Sequence, residues 1–146
     1  MSEAARGNTK AIVAGLKKSP LLSQLPDRHL KRLASYAKVR DIPAGTTVVK
    51  RGEKGLGFYV ILDGRVQVKK GSTNLAKLGP GDFFGELALY NDRPRSADVV
   101  TIEPSTVVVL SRWEFWGFAT DRPEVLKVIL VEMARRLEQT GKVAAA

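Results

Sequence analysis

The sequence contains no cysteine and a single histidine, His29. Without cysteine the chain cannot form a disulfide or a thiolate metal site, and we expect a cytoplasmic protein, because cysteine usage of this kind gives no sign of an oxidising compartment. One histidine also argues against a histidine-rich metal centre and a histidine-based catalytic triad. We therefore expect no catalytic residue, no metal and no cofactor, and we expect His29 to be a surface or helix-packing residue.

Long apolar runs and long charge runs are absent as well. No apolar run approaches the roughly 20 residues of a membrane-spanning helix, and residues 1–10 lack the apolar core of a secretory signal. The net charge is +9, yet basic residues occur in scattered pairs such as Lys50-Arg51, and no run reaches five. This charge favours an anionic partner, which could be a nucleic acid, a membrane surface or a small phosphate ligand, and the scattered pattern is typical of a solvated basic surface.

The spacing of apolar residues changes along the chain. Residues 1–9 are small and polar and predict a flexible tail, and residues 10–38 have the spacing of two short amphipathic helices interrupted by prolines. Short strand-like runs separated by glycine turns follow, at 48–49, 58–62, 66–68, 75–78, 99–100 and 107–110. Such a pattern is typical of a sandwich or barrel. Asp63-Gly64 is predicted to close a two-residue β-hairpin.

The C-terminal part returns to helical spacing. Ser111 and Glu114 form a capping-box pattern, which Asp121 and Glu124 repeat. The aromatic residues of the first of these helices, including Trp113 and Trp116, are expected to pack against the strands. The apolar residues predicted to form one stripe on the last helix are Leu126, Ile129, Leu130, Met133 and Leu137. This stripe could cover the strands or mediate a homodimer or a protein contact.

An acid and a base interrupt an otherwise apolar segment, FFGELALYNDRPRSADVV, at residues 83–100. A buried unpaired charge is costly, so Glu86 and Arg95 must either lie on the surface or share a polar partner. Arginine matches a phosphate bidentately, a glycine turn exposes backbone amides to an anion, and a carboxylate accepts from sugar hydroxyls. Together these groups predict a site for a phosphorylated ribose.

Residues 84–101, FGELALYNDRPRSADVVT, closely resemble the phosphate-binding cassette of cyclic nucleotide-binding domains, and residues 48–64 resemble a second signature of that family. The resemblance covers roughly residues 20–140. It implies a mainly β fold with flanking helices: an eight-stranded β-roll (jelly-roll) with N-terminal helices and two C-terminal helices. The domain would span 10–141, with helices at 10–38, the roll at 39–111, helices at 112–141 and a tail at 142–146.

The resemblance also implies roles for individual residues. Glu86 would hold the ribose 2′-hydroxyl and Arg95 the cyclic phosphate, while amides of the glycine turn and of the residues after Arg95 would complete the phosphate cradle. The implied binding residues are Phe84, Gly85, Glu86, Leu87, Ala88, Arg95, Ser96 and Ala97. Candidates to cover the base are Ile129, Leu130 and Met133. One departure stands at Leu56, where the family commonly has an acidic residue.

The resulting hypothesis is a cyclic nucleotide sensor without catalytic activity, in which bound ligand repositions the C-terminal helices. Ser96 favours cyclic AMP, since cyclic GMP selectivity often brings threonine to that position. Catabolite activator-like regulators carry a helix-turn-helix after this module, and residues 142–146 are too few to form one. The alternative is a basic interaction module, or a fragment of a larger channel, kinase or transcription regulator, with a weak or vestigial pocket.

Overall fold

The computed structural model describes residues 9–18, 22–55, 57–85 and 94–140, without the side chains of residues 133 and 136–140. Within these residues the chain forms four helices and eight strands. The helices are α1 (Thr9–Lys17), α2 (Asp27–Tyr36), α3 (Arg112–Thr120) and α4 (Pro123–Thr140). The strands are β1 (Lys38–Ile42), β2 (Thr47–Val49), β3 (Gly57–Asp63), β4 (Val66–Lys70), β5 (Thr73–Leu78), β6 (Phe83–Phe84), β7 (Asp98–Thr101) and β8 (Ser105–Ser111).

The strands form two antiparallel sheets in the orders β1-β8-β3-β6 and β2-β7-β4-β5. Helices from both ends of the chain pack on the first sheet, and the second sheet packs on its other face, as the two buried clusters show. The predicted class, a mainly β roll with flanking helices, is therefore confirmed. None of the helices in the described part of the chain is both long and apolar enough to span a bilayer.

Strand β3 explains why the first sheet lies in the middle. Phe58 and Val60 belong to the cluster shared with the helices, whereas Ile61 belongs to the cluster between the sheets, and all three are fully buried. Successive side chains of a strand point to opposite faces, so a strand covered on both faces needs apolar residues at nearly every position. Each large side chain buried in this way contributes about 1.5–3 kcal/mol.

The predicted hairpin at Asp63-Gly64 is wrong. Strands β3 and β4 lie in different sheets and do not pair, so this turn carries the chain from one sheet to the other. Gly64 does adopt a positive φ of 95°, and its backbone lies against Ser105. The two-residue hairpin is instead Gly71-Ser72, which joins β4 to β5 with Lys70 opposite Thr73. Gly71 has φ 63°, as the first central position of a type II′ turn requires.

Two strands were not predicted from the local sequence. Strand β1, KVRDI, carries three charged residues, and β6 contains only Phe83 and Phe84. Both pair with strands distant in sequence: Lys38 lies opposite Val109, and Phe84 lies opposite Tyr59. Tertiary pairing, rather than local propensity, therefore defines them.

Ser111 is the N-cap of α3, as the capping-box pattern predicts: its Oγ accepts from the amide of Glu114 at 3.2 Å. The carboxylate of Glu114 accepts from the Ser111 hydroxyl at 2.8 Å. Asp121 is not the N-cap of α4, as the repeat of the pattern predicted. It is the C-cap of α3, and the carbonyl of Arg122 accepts from the amides of Val125 and Leu126 at the start of α4.

Of the stripe predicted on α4, Leu126 and Ile129 are at least half-buried and Leu130 is not, while the side chains of Met133 and Leu137 lie outside the described residues. Val125 and Ile129 are fully buried, but Leu130 is 51% exposed and Val131 is 58% exposed. The face in contact with the core therefore continues from Ile129 to Glu132, which is buried and hydrogen-bonded to Arg135.

The tryptophans of α3 differ from one another. Trp116 packs against the core as predicted, whereas Trp113 is 69% exposed with the guanidinium of Arg112 over its ring. His29 is buried and packs edge-on against Phe118, in agreement with a helix-packing role.

Candidate functional site

The backbone around Arg95 is attached to the connection between β2 and β3. The amide of Gly52 donates to the carbonyl of Arg95 at 2.9 Å, and the amide of Arg95 donates to the carbonyl of Glu53 at 2.8 Å. A β-bridge between Lys54 and Pro94 extends this pairing. The arginine therefore starts from a fixed backbone position, although it lies outside the strands themselves.

The side chain of Arg95 is half-buried among glycines. Its Nη2 donates to the carbonyl of Gly57 at 2.8 Å, and its Nε is shielded from solvent. A Cβ added at Gly55 would overlap the guanidinium and come within 2.6 Å of Nη2, and a Cβ at Gly85 would lie 2.5 Å from Nη1. The guanidinium thus lies between two backbone segments that can approach it only because they lack side chains.

A cavity of about 190 Å³ opens beside this guanidinium. Its lining residues are Val48, Val49, Lys50, Glu53, Lys54, Gly55, Tyr59 and Arg95. Three cations and one carboxylate give the lining a net positive charge. Since ligand pockets typically begin at about 300 Å³, this volume suits the charged end of a small ligand. The arrangement can hold an anion against Arg95 while the valines and the tyrosine contact an apolar part.

The wall behind the cavity is aromatic. Tyr59 stacks on Phe84 with ring centroids 4.8 Å apart and an interplanar angle of 6°. Phe84 itself is buried between the sheets, together with Ala97 and Val99. Phe84 and Ala97 therefore support the site from behind with their side chains. A ligand in the cavity could contact the side chain of Tyr59. It could reach Phe84 and Ala97 only through their backbone atoms.

The structure places some of the predicted binding residues and leaves others undescribed. Arg95 lines the cavity, Gly85 lies against its guanidinium, and half-buried Ser96 follows it in the chain. Glu86, Leu87 and Ala88 lie outside the described residues, and so does Leu56, so their roles stay predictions.

Ile129 and Leu130, two of the candidates to cover the base, are not among the described residues that line this cavity. Ile129 is fully buried in the cluster shared by the helices and the first sheet, and Leu130 is exposed to solvent. The side chain of Met133 lies outside the described residues. Ile129 cannot cover a ligand from its position in the core.

Sequence reasoning missed Lys50, Lys54 and Tyr59 as lining residues. Lys54 lies within the GEKG turn, residues 52–55, and Lys50 lies two positions before it. The sequence predicts a turn and a family signature in this segment and a strand around Tyr59, and neither prediction indicates that these side chains line a cavity. A tyrosine in a run of aliphatic residues was a usable signal, because its hydroxyl favours a position at the edge of a core.

A second and larger cavity, of about 390 Å³, has the opposite character. It is lined by Asp41, Ile42, Pro43, Asp63, Pro104, Ser105 and Thr106. Asp41 accepts a hydrogen bond from Thr106 Oγ1 at 3.0 Å. Its lining contains carboxylates and no cation, so it does not suit an anionic ligand despite its size.

Residues 39–122 match the family model for the cyclic nucleotide-binding domain. The match covers more than half of the chain. It includes Arg95 with the glycines around it and nearly all residues of the eight strands. The chain belongs to the cyclic nucleotide-binding domain family.

Known proteins show the same relationship. The CRP-like cAMP-activated global transcriptional regulator of Mycobacterium tuberculosis is 36% identical over 106 residues, which are 69% of this chain and 47% of that protein. The N-terminal domain of a transcriptional regulator from Streptomyces coelicolor A3(2) has a TM-score of 0.80 at 28% identity, with 87% of this chain and 92% of that chain covered.

The regulatory domain of Toxoplasma gondii PKA, solved with cAMP, has a TM-score of 0.72 at 28% identity, with 79% of this chain and 46% of that chain covered. This chain thus spans about half of the length of the Mycobacterium regulator and of the Toxoplasma domain. Such regulators and regulatory domains share the module, whatever the rest of each protein does.

Proposed function

We propose that this chain binds cyclic AMP in the cavity beside Arg95 and acts as a regulatory sensor domain without catalysis. The observation that carries the proposal is the guanidinium of Arg95, held among three glycines at the wall of a positively charged cavity. A cyclic phosphate is a singly charged anion with two free oxygens, which suits the paired donors of a guanidinium.

The remaining contacts of the ligand follow the family pattern. The amides after Gly85 and around Ser96 would donate to the phosphate, and Glu86 would accept from the ribose 2′-hydroxyl. Gly85 has φ 81°, a conformation that glycine adopts without strain, and its backbone lies against the guanidinium of Arg95. The apolar lining, Val48, Val49 and Tyr59, would contact the sugar or base.

Cyclic AMP is favoured over cyclic GMP on two grounds. Position 96 holds serine, and two of the similar proteins are named for cyclic AMP. The ligand class depends on the phosphate and ribose contacts, whereas the choice of base depends on contacts further from Arg95.

The proposed output is a shift in the position of α3 and α4. Phe115 and Phe118 of α3 and Ile129 of α4 are buried in the cluster that includes Phe58 and Val60 of β3, the strand that also supplies Tyr59 to the cavity. A ligand that moves the cavity wall would therefore change the packing of these helices and the surface they present.

Calorimetric titration with cyclic AMP tests the proposal on wild type, Arg95→Ala and Arg40→Ala. Arg40 is exposed on β1, so its loss changes the net charge equally without touching the cavity. Each lost charge-assisted hydrogen bond is worth about 1.5–3 kcal/mol, so Arg95→Ala should weaken binding about 10- to 100-fold, and Arg40→Ala should leave it unchanged. Equal affinities for wild type and Arg95→Ala would remove Arg95 from the site.

A further inference from the structure

The glycine at position 55 is not at a position where backbone conformation requires glycine. The described glycines with positive φ are Gly45, Gly52, Gly64, Gly71, Gly81 and Gly85, and Gly55 is not among them. An alanine would therefore fit the backbone at Gly55. The alanine would, however, collide with a neighbouring side chain, because its Cβ would overlap the Nε and Cζ atoms of Arg95.

We propose that Gly55 is a positioning residue that acts on the ligand through Arg95. Because Gly55 has no side chain, the guanidinium of Arg95 can lie in the orientation that binds the anion. The inference rests on the proposed function for its effect on affinity, but its structural part does not. Gly55 closes one side of the guanidinium, Gly85 closes the other, and the carbonyl of Gly57 fixes Nη2 at 2.8 Å. These close approaches of the backbone restrict where the guanidinium can lie.

The expected consequence is a variant that folds but binds poorly. The atoms that a Cβ at Gly55 would meet belong to the far end of a flexible side chain, so Arg95 can move away with little effect on the fold. A displacement of the guanidinium by even 1 Å misaligns its donors, and small misplacements of this kind reduce function strongly. Gly55→Ala should therefore keep the melting temperature of wild type and lose most of the affinity that Arg95 provides.

Two other glycines supply matched controls. Gly45 has φ 78° and nothing within 4 Å of an added Cβ, so Gly45→Ala strains the backbone without touching a side chain. Gly79 has neither a positive φ nor a close neighbour. We expect Gly45→Ala to lower the melting temperature without a change in affinity, and Gly79→Ala to change neither.

The first test needs no ligand. The Nε of Arg95 is shielded from solvent, so its N–H should give a distinct NMR resonance, assigned by its loss in Arg95→Lys. Gly55→Ala should shift this resonance or increase its exchange with water, whereas Gly45→Ala should leave it in place. An unchanged resonance in Gly55→Ala overturns the inference, whether or not the protein binds a nucleotide.

The second test is a double-mutant cycle with cyclic AMP, followed by NMR titration up to millimolar concentration. Gly55→Ala should weaken binding at least about tenfold in wild type and less than about twofold in the Arg95→Ala background, because no guanidinium remains to be displaced. Equal losses in both backgrounds would show a merely structural role and overturn the inference. If wild type binds no cyclic nucleotide, the proposed function fails, and the resonance comparison alone decides about Gly55.

Discussion

Two cavities among the described residues of the roll differ in a way that volume does not reveal. The larger one, about 390 Å³, is lined by Asp41 and Asp63, and the smaller one, about 190 Å³, by Lys50, Lys54 and Arg95. Only the smaller one has a charged group that the backbone orients from several sides. For an anionic ligand, the sign and the fixation of the charges therefore favour the smaller cavity over the larger one.

The largest expected effect comes from reversing the charge of the smaller cavity. Arg95→Glu places a carboxylate against a phosphate and should reduce cyclic AMP affinity more than about 100-fold, since both the hydrogen bonds and the sign are lost. Isothermal titration would measure it.

The control is Arg65→Glu, which changes the net charge by the same amount at an exposed position between β3 and β4. Its affinity should stay within about twofold of wild type. If the two reversals weaken binding equally, the overall charge of +9 matters and the cavity of Arg95 does not.

A smaller effect should come from the two lysines at the rim. Lys50 and Lys54 are exposed and line the cavity, and exposed ion pairs are worth about 0.2–1 kcal/mol each. The double variant Lys50→Ala/Lys54→Ala should therefore bind cyclic AMP about fivefold more weakly at low ionic strength. The difference should disappear near 1 M salt, where the screening length is only about 3 Å.

Lys70→Ala/Lys77→Ala is the matched control, because both lysines are exposed on β4 and β5 and do not line the cavity. A fivefold loss that persists at high salt would mean that a rim lysine contacts the ligand directly. Equal losses for the two double variants would mean that the contrast between the cavities is only a difference in overall charge.

Arg95 could be singled out from sequence as a candidate binding residue, and its surroundings could not. Arg95 is recognisable because it is a charge in an apolar segment and therefore needs a partner, and its neighbours in sequence are enough to show this. Gly55 and Gly57 are 40 and 38 positions away along the chain, and their contacts with Arg95 depend on the pairing of residues 52–54 with 94–95. Local sequence predicts a turn there and does not indicate what the turn lies against.

The fold shows the same division. The apolar runs of β3 and β8 predicted strands correctly because both faces are buried, whereas β1 and β6 depend on partners distant in sequence. Gly64 needs a positive φ in a hairpin and equally in a crossing between sheets, so the local pattern could not distinguish the two. Strand pairing is a long-range property, which explains why the hairpin was assigned to the wrong turn.

The smallest expected effect has the opposite sign and comes from Glu53, whose carboxylate is among the described residues that line the smaller cavity. Glu53 is exposed, and its backbone carbonyl accepts from the amide of Arg95, a bond that Glu53→Gln leaves intact. Removing the negative charge should strengthen cyclic AMP binding about twofold at low ionic strength, because only a screened repulsion is lost. Asp63→Asn makes the same chemical change in the larger cavity and should have no effect. A weaker affinity of Glu53→Gln would instead make Glu53 an acceptor for a ligand hydroxyl. The smaller cavity would then bind the sugar through Glu53 and the phosphate through Arg95.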